Sequence, residues 1–265
     1  METLLKQRVS WTIGSDSGGT PVLRWIACAA RVVRMSAHLR SLFVGVTGAS
    51  GAPYALRLVE KLAAADHRMS LCISDAGLDV IAYELGLDAE GRQGITSAFL
   101  ARAGASEVTT VHSPEDFGAS CSSGSAFPDA AVICPCSLST AAEIAMGTTR
   151  TLIHRAGSVA LKERKPLVLV PREMPLSVIH LRRLLEVSEA GAFVVPPMPA
   201  FYNHPHSLQD IIDFVVGKIL SVLGVDQDLY PAWGRESVRA ADCPVDGKPW
   251  DSLPHRRRDD RVGLA

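Results

Sequence analysis

"VGVTGASGAPYALRLVEKL", residues 44–62, passes from an apolar run of β type into an amphipathic helix, with Gly45, Gly48 and Gly51 packed around the joint. Gly48 and Gly51 let the backbone turn without a Cβ, and Pro53 fits the first helical turn, where its missing N–H costs nothing. The free amides and the positive end of the helix then face the end of the strand, which suits a phosphate. The spacing lacks the third glycine of GxGxxG, and no GK[ST] follows for a nucleoside triphosphate. The joint is therefore either a cradle for a single phosphate or simply a tight turn.

Outward from this joint, short apolar strands alternate with helical segments. "LFVGVT" precedes a helix through Lys61, "MSLCIS" one from Ala76, and "VTTVH" a loop. "AAVICP" leads to a helix through Ala145 and a second over 152–164, "PLVLVP" to a helix ending near Val187, and "AFVVPP" to a last helix over Leu208–Leu223. Strands apolar on both faces and separated by helices predict a three-layer, doubly wound parallel α/β sheet. Ligands of such a sheet sit beyond the carboxyl ends of its strands. The polar and glycine-rich loops "TGASGAPY", "SDAG", "CPCSLST", "PREMP" and "PPMPAFYNHPHS" all fall there and describe one composite site.

The chain of 265 residues is 47% hydrophobic and carries 27 basic against 28 acidic residues, enough for one large core and without a global field for nucleic acid or an anionic membrane. No apolar stretch approaches the roughly 20 residues that cross a bilayer. Cys28, Cys72, Cys121, Cys134, Cys136 and Cys243 show no metal-ligand spacing and read as reduced, buried thiols of a cytoplasmic protein. Residues 1–40, rich in arginine with a Ser/Gly patch, read as a disordered extension. It is either the product of a misplaced start, with Met35 as the natural one, or a transit segment that would direct the chain to mitochondria. The main domain is expected over 41–233 and a polar tail over 234–265.

The polar residues of the rim have two readings each. Ser137, Ser139 and Thr140 start a helix, where one hydroxyl suffices as a cap and three suggest a ligand. Arg155, Ser158 and Lys162 form a stripe with no acid among them, either a solvated face or half of an anion site. Lys218 falls between Phe214, Val215 and Val222 on the last helix, an apolar arc where an ammonium either snorkels or meets an anion. Arg172 and Glu173 leave a wholly apolar strand and line the crevice, with Tyr202 in the next strand-end loop.

Four stretches, "GVTGASGAPYALRLVEKL", "VICPCSLSTAAEIAMG", "RAGSVALKERKPLVLVPREMPLSVIHLRRLL" and "PPMPAFYNHPHSLQDIIDFVVGKIL", together resemble the UbiX family of flavin prenyltransferases over roughly residues 41–233. The resemblance implies a flavodoxin-like, FMN-binding protomer in a homo-oligomer, a dodecamer built from trimers. It implies a metal-independent transferase that joins the dimethylallyl group of dimethylallyl monophosphate to reduced FMN at N5 and C6, making the cofactor of a UbiD-type decarboxylase. By motif it assigns FMN to Gly48, Ala49, Ser50, Ser74, the run Ser137, Leu138, Ser139 and Thr140, and Arg172. The prenyl phosphate falls to Tyr202 and Lys218 with Arg155 and Lys162, the acid/base role to Glu173, and Glu84 is implied to reach in from a neighbouring subunit. The chain departs from the family at Arg150, Thr151 and Ser158, and Phe117 stands in a loop that often carries tryptophan. Rival readings are a flavin storage or delivery protein, which needs no prenyl-phosphate cations, and a cysteine-decarboxylase-type flavoprotein, which would show a "PASANT"-like segment in place of "CPCSLST". A nicotinamide-dependent enzyme would use Asp75 but lacks the glycine spacing.

Overall fold

Six strands, β1 (Ser41–Val46), β2 (Arg68–Ile73), β3 (Thr109–His112), β4 (Ala130–Cys136), β5 (Leu167–Pro171) and β6 (Phe193–Val194), join in parallel in the order β3-β2-β1-β4-β5-β6. This computed structural model describes residues 39–203 and 205–230; the expected tail over 234–265, and all but the last two residues of the expected extension over 1–40, lie outside the described residues. Seven α-helices are described: α1 (Ala52–Ala64), α2 (Asp75–Leu85), α3 (Gly91–Arg102), α4 (Leu138–Met146), α5 (Leu152–Lys162), α6 (Val178–Glu189) and α7 (Leu208–Leu223).

The expected three-layer sheet is what forms. Without the short edge strand β3, the order 2-1-4-5-6 is the flavodoxin order, with its reversal between β1 and β4. β3 departs from the expected apolar pattern, since it is an edge strand with largely exposed residues. The segment after Ala76 holds two helices rather than one, because Gly86 adopts a left-handed conformation (φ 60°) that closes α2.

Alternate residues of each strand enter different cores, as the twofold side-chain period of a strand requires. Leu42, Val44 and Val46 of β1 pack with Leu58, Ile81, Phe99 and Val216 under α1, α2, α3 and α7. Phe43, Ile133 and Leu169 pack on the other face with Ile144, Leu152, Ile153 and Val159 of α4 and α5 and Val187 of α6. A bidentate pair from Arg57 to Asp213 (2.7 and 3.0 Å) ties α1 to α7. Cys72, Cys121, Cys134 and Cys136 are buried and free, and burial pushes the Cys121 thiol up to about 11 and those of Cys72 and Cys136 to about 12. Among the described residues no helix is long and apolar enough to cross a membrane.

The second face has two local features with measurable consequences. Ile144 of α4 fills the space above Gly157 of α5, where an added Cβ would lie 2.7 Å from Ile144 Cδ1. Gly157→Ala is therefore expected to cost about 1–3 kcal/mol by overpacking, and Ile144→Val in the same chain to recover part of it, measured by denaturant unfolding.

His154, only 9% exposed, has Nδ1 3.1 Å from Thr151 Oγ1 and 3.5 Å from Glu143 Oε2. Burial lowers its pKa, Glu143 opposes that, and Arg150 adds to it, leaving it below the ordinary value of 6.5. The unfolded chain thus binds this proton at a higher pH than the folded one, so the contribution is complete above 6.5 and is lost as pH falls through the folded pKa. Melting temperatures across that window should fall more steeply for the wild type than for His154→Gln, by at most about 1.4 kcal/mol per pH unit for one proton.

Candidate functional site at the carboxyl ends of the strands

The crevice opens where the strand order reverses, between the turn after β1 and the start of α4. Gly48 begins the turn, and a Cβ there would fall 2.5 Å from that of Ala76, so only glycine lets α2 dock against it. Gly51 takes φ 136°, a conformation that L side chains rarely adopt. The N–H groups of Gly48, Ala49 and Ser50 donate to no described residue, whereas those of Gly51 and Ala52 donate to Glu84 Oε2 at 2.9 and 2.8 Å.

That contact corrects one expectation and gives a second residue a place in its own chain. The amides at the start of α1 are not free for a phosphate, because the positive helix end has taken a carboxylate of its own chain. The N–H groups left without a described acceptor are those of the turn Gly48–Ser50 ahead of the helix. Glu84, implied to serve a neighbouring subunit, caps α1 within its own protomer, since α2 starts against Gly48 and carries Glu84 back to the joint.

The remaining strand ends are stitched to the same rim. Ser74 caps α2 by accepting from Gly77 N (3.0 Å), and its own N–H donates to Val46 O (3.0 Å). Ser137 caps α4 by accepting from Thr140 N (3.2 Å), and its hydroxyl lies 3.0 Å from Ser139 Oγ and 2.9 Å from Thr140 Oγ1. Leu138 turns its side chain inward, leaving only its backbone for a ligand. Arg172 N donates to Cys136 O (3.4 Å) and its Nε to Ser50 O (3.2 Å), which carries the guanidinium from β5 over to the β1 turn. Glu173 is exposed beside it, with Oε1 accepting from Met174 N at 3.0 Å. Gly48, Ala49, Ser50, Ser74, Ser137, Ser139, Thr140, Arg172 and Glu173 thus share one rim. Sequence reasoning missed Thr47, buried between the β1 and β4 ends; its signal was a hydroxyl closing an otherwise apolar strand.

The other cations are not gathered there. Arg155, in the first half of α5, donates through Nε to Ser122 O (3.0 Å). Lys162 ends α5 near the amino ends of the strands and pairs with Glu163 over Gly124, so the stripe read as free of acids has one beside it. Lys218 is exposed, against the expectation that it faces the body of the protein. The buried arc of α7 is centred on Ile212, Val216, Ile219 and Leu223, and Phe214 and Val222 are only its shoulders. Tyr202 packs edge-on against Phe214 (5.9 Å, 89°), one turn before Lys218. Phe117 is half-exposed in the loop after β3. Because α5 and α7 lie on opposite faces of the sheet, Lys162 and Lys218 of one protomer cannot meet one ligand.

Comparison with known proteins matches residues 30–220 to the Flavoprotein family. The chain is 44% identical over 198 residues to the flavin prenyltransferase UbiX of Pseudomonas aeruginosa, covering 74% of this chain and 94% of that protein. It is 41% identical over 193 residues to the flavin prenyltransferase UbiX of Methanocaldococcus jannaschii, covering 73% and 98%. Among solved structures it is similar to AnUbiX in complex with FMN and dimethylallyl pyrophosphate (TM-score 0.67, 38% identity, 75% of this chain and 99% of that one). It is also similar to a dodecameric FMN-dependent UbiX-like decarboxylase from Escherichia coli O157:H7 (TM-score 0.63, 40% identity, 74% and 99%).

The Glu84 contact is testable on the protein alone. Glu84→Ala strips two part-buried amides of their acceptor and should lower stability by about 1–3 kcal/mol in denaturant unfolding. An unchanged midpoint would mean that the carboxylate does not hold α1.

Proposed function

The chain belongs to the UbiX family of flavin prenyltransferases, and on that premise we propose that it joins the dimethylallyl group of dimethylallyl monophosphate to N5 and C6 of reduced FMN. The product would serve a UbiD-type decarboxylase. The observation that carries the reading is the switch-point rim, where three N–H groups at Gly48–Ser50 without described acceptors face the hydroxyl cluster of Ser137, Ser139 and Thr140. A single phosphate and a polyhydroxyl chain fit that donor set, and among the described residues no second glycine-rich turn offers room for a pyrophosphate. Gly48–Ser50, Ser74, Ser137–Thr140 and Arg172 would hold the flavin, which when bound in its reduced form supplies the nucleophilic N5 and C6.

The rest of the chemistry falls to side chains of this chain. Departure of an allylic phosphate builds negative charge on its oxygens, and preorganised cations lower that barrier. Arg155, Lys162 and Lys218 would supply them, with the Tyr202 hydroxyl as a further donor. Glu173 keeps Oε1 on Met174 N, which leaves Oε2 to take and return protons together with the departing phosphate, so no metal is required. Since Lys162 and Lys218 lie on opposite faces of the sheet, each complete site would draw one from each of two subunits. Exposed Met174, Val178, Ile179, Leu181 and Leu185, on α6 and the loop before it, give the protomer an apolar face suited to such a homo-oligomer, here proposed as a dodecamer. The storage and cysteine-decarboxylase readings gain no support from relatives near 40% identity, which carry the prenyltransferase name.

The test is anaerobic incubation with reduced FMN and either dimethylallyl monophosphate or the pyrophosphate, followed by mass spectrometry of the released flavin. Prenylated flavin is expected from the monophosphate, and its absence with both donors would overturn the reading. Lys162→Met and Lys218→Met should each lower efficiency about tenfold to a hundredfold while flavin binding persists, the worth of one charge-assisted contact. Co-expressed in equal amounts, the two variants should regain about one quarter of wild-type activity, because a quarter of shared sites then hold both lysines. Activity no higher than that of either variant alone would refute the two-subunit site.

A further inference from the structure

Strands β1 and β4 flank the crevice, yet their ladder of paired residues ends at Gly45 and Ile133. Beyond it Pro135 has no N–H to donate, and the β4–β5 register shifts between Ile133 and Cys136. The end of β4 thus keeps β5 only through the shifted pair Cys136–Pro171 and has no paired residue on β1 where it delivers Ser137 to the rim. Thr47 replaces what the ladder lacks. Its N–H donates to Pro135 O (3.2 Å), its hydroxyl donates to the same carbonyl (3.0 Å), and that hydroxyl accepts from Ser137 N (2.7 Å).

Thr47 is 3% exposed, so these bonds are screened little by water, and a β-branched side chain has few rotamers through which to relax. With donor and acceptor capacity both engaged, the hydroxyl is fixed in direction as well as position. The next residue, Gly48, opens the turn with unpaired amides, and Ser137 is the cap whose hydroxyl touches Ser139 and Thr140. One side chain therefore joins the two halves of the rim at their roots.

We infer that Thr47 is a positioning residue that sets the width of the crevice, so that one ligand meets the Gly48–Ser50 amides and the Ser137–Thr140 hydroxyls together. The inference rests on the flavin reading above for the identity of that ligand. A site of this kind tolerates errors of only about 0.5 Å, and a displacement near 1 Å costs on the order of a hundredfold. Losing the clip need not unfold the strand ends to be felt; it need only let them drift.

Thr47→Val keeps the shape and deletes the clip, whereas Thr47→Ser keeps the hydroxyl. Three measurements on the full chain separate the outcomes. Amide exchange at Ser137 in the flavin-free protein should quicken at least about tenfold in the valine variant, with Leu169 unchanged. FMN affinity, titrated at a temperature where every variant is folded, should weaken about tenfold or more for valine and stay within about twofold for serine. The prenyl-transfer kcat should fall for valine while KM for dimethylallyl monophosphate holds, because the proposed phosphate cations lie elsewhere. A valine variant that only melts earlier, with FMN affinity and Ser137 exchange like the wild type, would overturn the inference. Should the wild type bind no FMN, the flavin reading fails, and the exchange result still decides whether Thr47 holds the rim. Where the valine variant does not accumulate, Thr47→Cys, with a weak donor in the same place, should give intermediate exchange and affinity; wild-type values from it would refute the positioning role.

Discussion

A carbonyl at the buried end of a parallel strand must find a donor after its ladder has run out, and the rim of this protein is built by meeting that demand. Val46 O receives Ser74 N, Pro135 O receives the amide and hydroxyl of Thr47, Cys136 O receives Arg172 N, and Ser50 O receives Arg172 Nε. Each bond joins the end of one strand to the loop of another, so the loops after β1, β4 and β5 are positioned by a closed circuit, with the β2 end tied to it through Ser74, rather than by their own turns. Donors not consumed in the circuit, at Gly48–Ser50 and on the hydroxyls that begin α4, are the ones left to face a ligand. Satisfying the strand ends and presenting a binding site are thus one structural event.

The sequence made most of the circuit's members legible, Thr47 excepted, but not its wiring. The joint at 44–62 announced its own turn through Gly48, Gly51 and Pro53, and the limits of α7 were read at Leu208 and Leu223, where Ser207 and Gly224 cap it in the structure. Glu84 was named only by the family resemblance, and its partners lie 33 and 32 residues away, so no local pattern specifies the contact. Thr47 escaped notice because a lone threonine after an apolar run is common, and only the neighbouring strand gives its hydroxyl a purpose. Lys218 misled because an apolar arc on a helix has shoulders: Phe214 and Val222 belong to it by composition, while the buried centre lies on the side of Val216 and Ile219. β3 was identified as a strand but not as an edge, since that position depends on what fails to pair beyond it.

The lysines carry the argument beyond one chain. Stacked layers sit about 10 Å apart, so side chains on α5 and α7 are separated by roughly two layer spacings with the sheet between them. A phosphate needs its cations at hydrogen-bond distance. On the proposed reading a protomer can therefore hold a flavin by itself, because the rim residues share one end of one sheet, but cannot assemble the cations around a prenyl phosphate. Assembly would then be a condition of the reaction rather than an accessory to it, and the exposed apolar residues of α6 give the free energy of burial a reason to bring copies together.

The partners that these groups keep in the isolated protomer fit the same division. Lys162 rests on Glu163, Arg155 on the carbonyl of Ser122, and Glu84 on the amides of α1. An exposed pair such as Lys162 with Glu163 contributes at most about 1 kcal/mol and is readily exchanged for a better anion. The Glu84 contact is of another kind, since a part-buried carboxylate on two helix-end amides is costly to vacate. Lys162, proposed for the transient phosphate, is thus held loosely, whereas the groups that shape the proposed flavin rim are held by bonds that a ligand does not have to break.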